Sequence, residues 1–288
     1  MKRLLPGQAR GRGMTASWNG RQRGLLLTVI CIGLIAGIWI AGPQLGADAI
    51  AAKLEWRNLA PSLAHPFGTD WLGRDMFTRT IKGLSLSIQV GLLAAGISVL
   101  IAAALGISAA VTGRWLDRLV TGVIDIFLSV PHLVSLILIS FVMGGGARGV
   151  IVGVALTHWP ALARIIRAEV IQLRSREYVQ ISRQLGKSRM WIAVHHLMPH
   201  VLPQMAVGLL LLFPHAILHE AAISFLGLGL SPHEPAIGII LSESMRYLST
   251  GMWWLAFFPG LSLLMIVLAF DAAGEQLRRL LDPRQSQE

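Results

Sequence analysis

The chain has 288 residues, of which 54% are hydrophobic and only 14% are charged, and its mean hydropathy is +0.62. Ordinary soluble domains carry about 25% charged residues, so this composition indicates an integral membrane protein. The net charge of +10 is also typical of nucleic-acid-binding proteins. However, the basic residues are dispersed among apolar runs and fall on one side of the expected membrane. This placement favours contact with lipid headgroups and excludes nucleic acid as an expected partner.

Apolar runs that could cross a bilayer occur about six times along the chain. They lie at 24–47, 83–113, 119–147, 149–163, 201–230 and 249–270. A bilayer core needs about 20 apolar residues per helix, and only structures that satisfy their own backbone hydrogen bonds can span it. We therefore predict an all-α integral membrane protein with about six transmembrane helices, in which the short run at 149–163 continues into the residues after it.

The placement of Lys and Arg predicts the orientation. Six basic residues and no acidic residue precede the first run, so the positive-inside rule places the N-terminus in the cytoplasm. Six spans then return the C-terminus to the same side. The predicted parts are a basic cytoplasmic tail, a first transmembrane helix, an extracytoplasmic loop, a five-helix core and a cytoplasmic tail. Their respective ranges are 1–23, 24–47, 48–80, 81–275 and 276–288.

A basic, amphipathic segment, the 174–199 loop, separates two of the apolar runs. A polar stretch of this length in a membrane protein is typical of contact with a soluble partner, although an amphipathic helix on the membrane surface is the alternative. Gly186 has no Cβ, so it allows both a turn and the close approach of a partner's backbone. The apolar residues expected to form a docking face are Val179, Leu185, Trp191, Ile192, Val194 and Leu197.

Several strings together resemble one family of membrane proteins. They are HPFGTDWLGRD at 65–75, EAAISFLGLG at 220–229 and GEQLRRLLDP at 274–283. These strings resemble the permease subunits of ABC importers for dipeptides, oligopeptides and nickel, and in particular the second permease type, which carries the first string. The resemblance implies the type I ABC importer fold, with the 174–199 loop as a cytoplasmic coupling helix.

In that family the coupling loop carries Glu-Ala-Ala, then Gly, then Ile-x-Leu-Pro. Here Gly186 and Pro199 match, whereas the three positions of Glu-Ala-Ala read Gln180, Ile181 and Ser182, and the Ile and Leu positions read His196 and Met198. The residues to which the resemblance assigns ATPase coupling are Glu177, Tyr178, Gln180, Gly186 and Pro199. Closure of the ATPases on ATP would move this loop and rock the adjoining helices.

The resemblance implies a half-pore. A second homologous permease would share the pathway, two ATP-binding subunits would dock on the cytoplasmic side, and an extracytoplasmic solute-binding protein would deliver the solute. The chain contains no GxxxxGK[ST] phosphate-binding loop, so we expect no enzymatic activity and no cofactor in it, with ATP and Mg held by the partner subunits. The expected location is the bacterial plasma (inner) membrane, with multiple spans and membrane lipid as a further partner.

Histidines near the last string suggest the solute. His215 and His219 are four residues apart, so on a helix both imidazoles share one face, a spacing that suits a borderline transition metal. Nickel-type family members resemble this chain at these two positions, whereas Glu220 resembles the peptide-type members. We therefore predict a solute pathway lined by His215, His219 and Glu220, with the two histidines as metal ligands. Nickel or a metal chelate is the predicted solute, and a dipeptide or oligopeptide is the alternative.

Other polar residues near prolines are expected to serve helix packing. His132 follows Pro131, and His158 stands two residues before Pro160. Two different functional classes also remain open, an ATPase-independent secondary transporter and an intramembrane hydrolase that uses some of the nine histidines. Against the hydrolase, the chain lacks both HExxH and GxSxG. Co-purification with ATPases would separate the importer from both alternatives.

Overall fold

The structure is a computed structural model that describes residues 20–281. Its helices are α1 (Gly20–Gln44), α2 (Met76–Thr112), α3 (Arg114–Ser129), α4 (His132–Val142), α5 (Gly146–Arg174), α6 (Glu177–Gln184), α7 (Arg189–Ile192), α8 (Met198–Phe225), α9 (Ile237–Met245) and α10 (Trp254–Leu281). Within 20–281 no β-strand forms, which confirms the all-α prediction. Most of the predicted N-terminal tail, 1–19, and the end of the C-terminal tail, 282–288, lie outside the described residues.

The apolar runs become long helices. In the described part of the chain, four helical units are long and apolar enough to cross a membrane: Met76–Thr112, Gly146–Arg174, Arg189–Phe225 and Trp254–Arg279. The bent pair α3 and α4 counts as a fifth if it forms one span, and α1 contains a shorter apolar stretch, Thr28–Gln44. Four or five of the six predicted spans thus appear by length and composition, and α1 as a transmembrane helix stays a prediction.

The predicted span at 119–147 is not a continuous helix. Its two parts, α3 and α4, meet at an angle of 101°. Pro131 lacks an N–H and cannot continue the hydrogen-bond ladder of α3, and it forces the preceding residue toward extended backbone. Val130 indeed has φ −90° and ψ 138°. The break places His132 at the first position of α4.

Helix α2 is the central element of the bundle and packs against α1, α5 and α8. Two of its glycines permit this close packing. A Cβ at Gly106 would lie 2.9 Å from the carbonyl oxygen of Ala163 on α5, and one at Gly91 would lie 3.3 Å from the ring of Phe213 on α8. Larger residues would push these helices apart, because protein interiors have few voids that could absorb the added volume.

The HPFGTDWLGRD string forms a polar turn that fixes the start of α2. Asp75 caps the helix by accepting a hydrogen bond of 2.8 Å from the N–H of Thr78, and its other oxygen lies 3.0 Å from Nδ1 of His65. Asp70 is fully buried and accepts hydrogen bonds from the backbone N–H groups of Leu72 and Arg74, each at 2.9 Å. The string therefore has a structural role at one end of the bundle.

Buried ion pairs connect this turn to two helices. The carboxylate of Asp70 accepts from Arg74 at 2.6 Å and from Arg79 of α2 at 3.2 Å. Arg79 in turn donates to Glu243 of α9 at 2.5 Å. We call Asp70, Arg74, Arg79 and Glu243 the ion-pair network. It holds the 45–75 loop, α2 and α9 together.

The two loops that adjoin α2 lie at opposite ends of the bundle. The 45–75 loop adjoins the first residue of α2, and the 174–199 loop contacts its last turn. Because α2 has 37 residues, these ends are about 55 Å apart, more than the roughly 30 Å of a bilayer core.

This geometry predicts the outcome of a labelling experiment. In a chain with Cys31→Ser, a cysteine at Leu63 should react with an impermeant maleimide added outside intact cells. A cysteine at Lys187 should react only after the membrane is opened, and both side chains are exposed, so burial gives no difference between them. Labelling of both cysteines from the same side would contradict the topology, and the reversed pattern would contradict the orientation.

Candidate functional site

The 174–199 loop folds as a helix-turn-helix. Helix α6 ends at Gln184, the chain reverses at Gly186, and the hydroxyl of Ser188 caps α7 by accepting a hydrogen bond from the N–H of Trp191. Gly186 has φ +77°, a left-handed conformation that residues with a Cβ rarely adopt. A Cβ there would meet nothing within 4 Å. The turn itself therefore requires glycine, and the space beside it is open.

Two arginines attach the loop to the end of α2. The guanidinium of Arg174 donates to the carbonyl of Ala110, and that of Arg189 donates to the carbonyl of Thr112. The last carbonyls of a helix have no partner within it and carry partial negative charge. These bonds satisfy them and attach the loop directly to the central helix.

The predicted docking face is divided between two surfaces. Val179, Ile192 and Leu197 are buried and pack on the loop's own bundle, because the reversal at 186 turns one side of both short helices inward. Leu185 and Val194 of the predicted set do face outward. The outer apolar surface also includes residues that the sequence pattern did not select. Its exposed members are Ile181, Leu185, Met190 and Val194.

All five predicted coupling residues are exposed on the loop. They are Glu177, Tyr178, Gln180, Gly186 and Pro199. The sequence predicts that the segment stops at Pro199, but the helix continues through this residue. A π-helical turn at 193–197 joins α7 to α8 without a break. The loop is thus continuous with the long helix that follows it.

Two departures from the family pattern contact each other. Ser182 stands at the last position of Glu-Ala-Ala and His196 at the Ile position, and Oγ of Ser182 lies 2.8 Å from Nε2 of His196. This hydrogen bond joins α6 to the π-helical turn. Either residue considered alone gives no sign of this pairing.

A second site, the histidine cluster, consists of His132, His158 and His219. These residues come from the start of α4, the middle of α5 and the last turns of α8. One ring nitrogen from each lies within 4.8 Å of those of the other two. The predicted partner of His219, His215, is exposed and lies outside this group. Sequence reasoning assigned His132 and His158 to packing, and only the bend at Pro131 and the crossing of α5 with α8 bring all three together.

Glu220 points away from the histidine cluster. Its side chain is fully buried and accepts a hydrogen bond of 2.9 Å from Oγ of Ser224. Ser224 also accepts from the N–H of Leu230, so this pair holds the chain segment that follows α8. Adjacent residues on a helix project about 100° apart, and His219 and Glu220 accordingly occupy different surroundings. The observed role of Glu220 is packing, and its place in a solute pathway stays a prediction.

Comparison with known proteins identifies similar chains over most of the length. Residues 102–287 match the family described as "Binding-protein-dependent transport system inner membrane component". A dipeptide transport system permease protein of Alkalihalophilus pseudofirmus is 37% identical over 248 residues, which cover 86% of this chain and 81% of the relative. A putative peptide transport system permease protein of Brucella suis is 34% identical over 260 residues, covering 90% and 86%.

A further relative is also a permease protein, and a solved structure has a similar fold. The dipeptide transport system permease protein of Bacillus subtilis is 35% identical over 246 residues, covering 85% of this chain and 77% of the relative. Among solved structures, a chain of the inward-facing MetNI methionine ABC transporter superposes with a TM-score of 0.58 at 18% sequence identity, covering 72% of this chain and 98% of that one. At this identity the likeness supports the fold alone.

Proposed function

Since the chain belongs to the family of binding-protein-dependent transport system inner membrane components, the permease subunits of ABC importers, we propose that it forms half of a pore for dipeptides or oligopeptides. The observation that carries this choice of solute is the identity of 34–37% to dipeptide and peptide permeases. Nickel, the solute favoured by the histidine spacing, has no such support. ATP binding and hydrolysis with Mg are proposed for two partner subunits.

The proposed coupling element is the 174–199 loop. Its exposed apolar side chains, with Leu185 and Met190 each 74% exposed, suit a groove on an ATP-binding subunit. The loop is attached to α2 by Arg174 and Arg189 and is continuous with α8. Movement of the ATP-binding subunit would therefore reach two long helices at once, which is the requirement for rocking one half of a pore against the other.

An exposed ion pair supports the pairing with a second permease. Asp125 of α3 and Arg164 of α5 lie 2.7 Å apart, and each side chain is more than half exposed. Both belong to the apolar units described above, and charged groups facing lipid are costly. We propose that this face meets the second permease and the water-filled pathway between them. An extracytoplasmic solute-binding protein would deliver the peptide on the side of the 45–75 loop. Both termini would then lie in the cytoplasm, as the positive-inside rule predicts.

Import of a metal ion or metal chelate is the second candidate function. The histidine cluster favours it, because imidazoles are common ligands of nickel and zinc. His215, the predicted second ligand beside His219, is exposed close to the cluster on the same helix. Metal and peptide import would use the same partners and the same coupling loop.

Uptake by the complete importer distinguishes the solutes. The complex, isolated through a tag on this chain, should contain two ATP-binding subunits and a second permease. In proteoliposomes it should take up a radiolabelled dipeptide only when ATP is enclosed inside the vesicles, because an importer moves solute toward the side of its ATP-binding subunits. Uptake of labelled nickel, with or without a chelating carrier, in place of the dipeptide would make the second candidate the function. Isolation of the chain alone, with uptake independent of ATP, would contradict both.

The double substitution His215→Ala/His219→Ala tests the predicted pathway residues. If metal moves through the native complex, loss of both imidazoles should abolish that uptake, since a metal would lose its ligands at the pore surface. The matched control is His233→Ala, an exposed histidine in the loop after α8. Metal uptake that is equal in the native complex and the double variant would remove these two residues from the pathway.

A further inference from the structure

We propose that His132, His158 and His219 bind one divalent transition-metal ion of borderline softness, such as Ni²⁺, Co²⁺ or Zn²⁺, at the junction of α4, α5 and α8. All three ligands come from this chain, and the proposal rests on the proposed function only in placing the site within a permease. The transported solute need not be a metal.

The positions of the nitrogens fit three ligands of one ion. Zinc–imidazole bonds of about 2.0–2.1 Å place two ligands of a tetrahedral ion about 3.4 Å apart. The three ring nitrogens here lie within 4.8 Å of one another. The rings are close but do not stack flat: the centroids of His132 and His158 are 4.4 Å apart at 86°, and those of His132 and His219 are 4.5 Å apart at 39°. Small ring rotations would converge the nitrogens on one ion.

Hydrogen bonding leaves the lone pair of His158 free. Its Nδ1 lies 2.9 Å from the carbonyl oxygen of Val154. A carbonyl oxygen only accepts, so Nδ1 carries the proton and donates it, and Nε2 must then carry the lone pair. Nε2 is buried without a hydrogen-bond partner, in a residue only 8% exposed. A histidine that donates one N–H to a backbone carbonyl and presents the other nitrogen is the usual arrangement of a metal ligand.

A second unsatisfied nitrogen belongs to the same group. Nδ1 of His132 is also buried without a partner. Among residues 20–281 no hydrogen bond connects any two of the three histidines. Buried polar atoms without partners are costly, so apolar side chains would fill this space better if packing were the only role. One ion would satisfy all three rings together.

The position of the cluster suits a ligand that arrives from the pathway. His132 begins α4 immediately after the 101° break, and His158 lies near the middle of the 29-residue α5. Broken helices place ion and substrate sites near the middle of many transporters. His158 is buried, whereas His132 and His219 are partly exposed. The site therefore has one open side, where a water molecule or a donor atom of a carried chelate could complete the coordination.

The experiment measures metal binding to the complete importer, isolated with a tag that contains no histidine. Co²⁺ is titrated and followed by its visible absorption and by equilibrium dialysis. We expect one ion per copy of this chain, with X-ray absorption showing three nitrogen ligands of imidazole type. His132→Gln, His158→Gln and His219→Gln should each weaken binding at least about 100-fold, because removal of even an outer-shell partner typically costs 10- to 100-fold. His233→Gln, at an exposed histidine, should bind as the native chain does.

The outcomes separate this inference from the proposed function. Absence of Co²⁺ binding by the native complex, or binding that all three variants retain, would overturn the metal site. The X-ray absorption spectrum of the native complex keeps this test decisive if a variant fails to assemble. ATP-driven dipeptide uptake, measured in the same preparation with Mg²⁺ but without Co²⁺, tests the permease function by itself. Dipeptide uptake without Co²⁺ binding would support the permease function and refute the metal site. Co²⁺ binding without uptake would support the metal site and refute the permease function.

Discussion

Replacing Gly186 by valine is expected to reduce ATP-driven uptake roughly 5- to 150-fold while leaving the transmembrane helices inserted. At φ +77° a β-branched residue is a severe outlier, and forcing it costs about 1–3 kcal/mol. No neighbouring atom lies within 4 Å of the added Cβ, so the strain comes from the backbone alone. The chain would relieve it by changing the angle between α6 and α7. An energy of this size corresponds to roughly a 5- to 150-fold loss of the competent loop conformation.

The matched control for that variant is Gly186→Asn. Asparagine adds a similar bulk but tolerates the left-handed conformation, so it should retain most of the uptake. Measurements are solute uptake and solute-stimulated ATP hydrolysis by reconstituted complexes. Equal activity of the valine and native proteins would refute the requirement for the turn. Equal loss in both variants would instead indicate that a partner's backbone fills the open space beside Gly186.

Asp70→Ala is expected to destabilise the importer by about 3–5 kcal/mol, the usual cost of removing one partner from a buried ion pair. The carboxylate is fully buried between Arg74 and Arg79, and the side chain of Arg79 is only 4% exposed. Without it, two arginines face the single carboxylate of Glu243. The backbone N–H groups of Leu72 and Arg74 also lose their acceptor. The measurement is the midpoint of thermal denaturation of the detergent-solubilised complex.

Glu275→Ala provides the comparison for Asp70→Ala. Glu275 pairs with Arg279 at 3.2 Å, but both side chains are about half exposed. An exposed pair contributes only about 0–1 kcal/mol, so this substitution should shift the midpoint slightly. A similar shift for both variants would show that the ion-pair network contributes no more than a surface contact.

The sequence predicts the helices well because each helix satisfies its own backbone. The apolar runs alone locate α2, α8 and α10, and the short run before Arg164 extends into α5 as expected. The bend between α3 and α4 is a different case. Pro131 signals a break, but the 101° angle depends on what α4 packs against, and no local pattern contains that information.

The sites are less predictable than the helices for the same reason. The 174–199 loop is found from sequence because its glycine and its exposed polar residues are local features. The histidine cluster joins residues from three helices that are distant in the chain. The spacing of His215 and His219 predicts a pair within one helix, of which only His219 belongs to the cluster. The sequence does contain one sign of the cluster. Pro131 directly precedes His132 and Pro160 follows His158 by two residues, and proline marks kinks and breaks in helices.

The hydrogen bond between Ser182 and His196 limits how parts of this loop can be exchanged with those of relatives. Its two ends lie on opposite sides of the turn at Gly186. A chimera that takes only the first half of the loop from a permease with alanine at the position of Ser182 would leave the imidazole of His196 without its acceptor or donor. Grafting the whole segment, or changing both positions together, avoids this mismatch. The two residues must therefore be exchanged together.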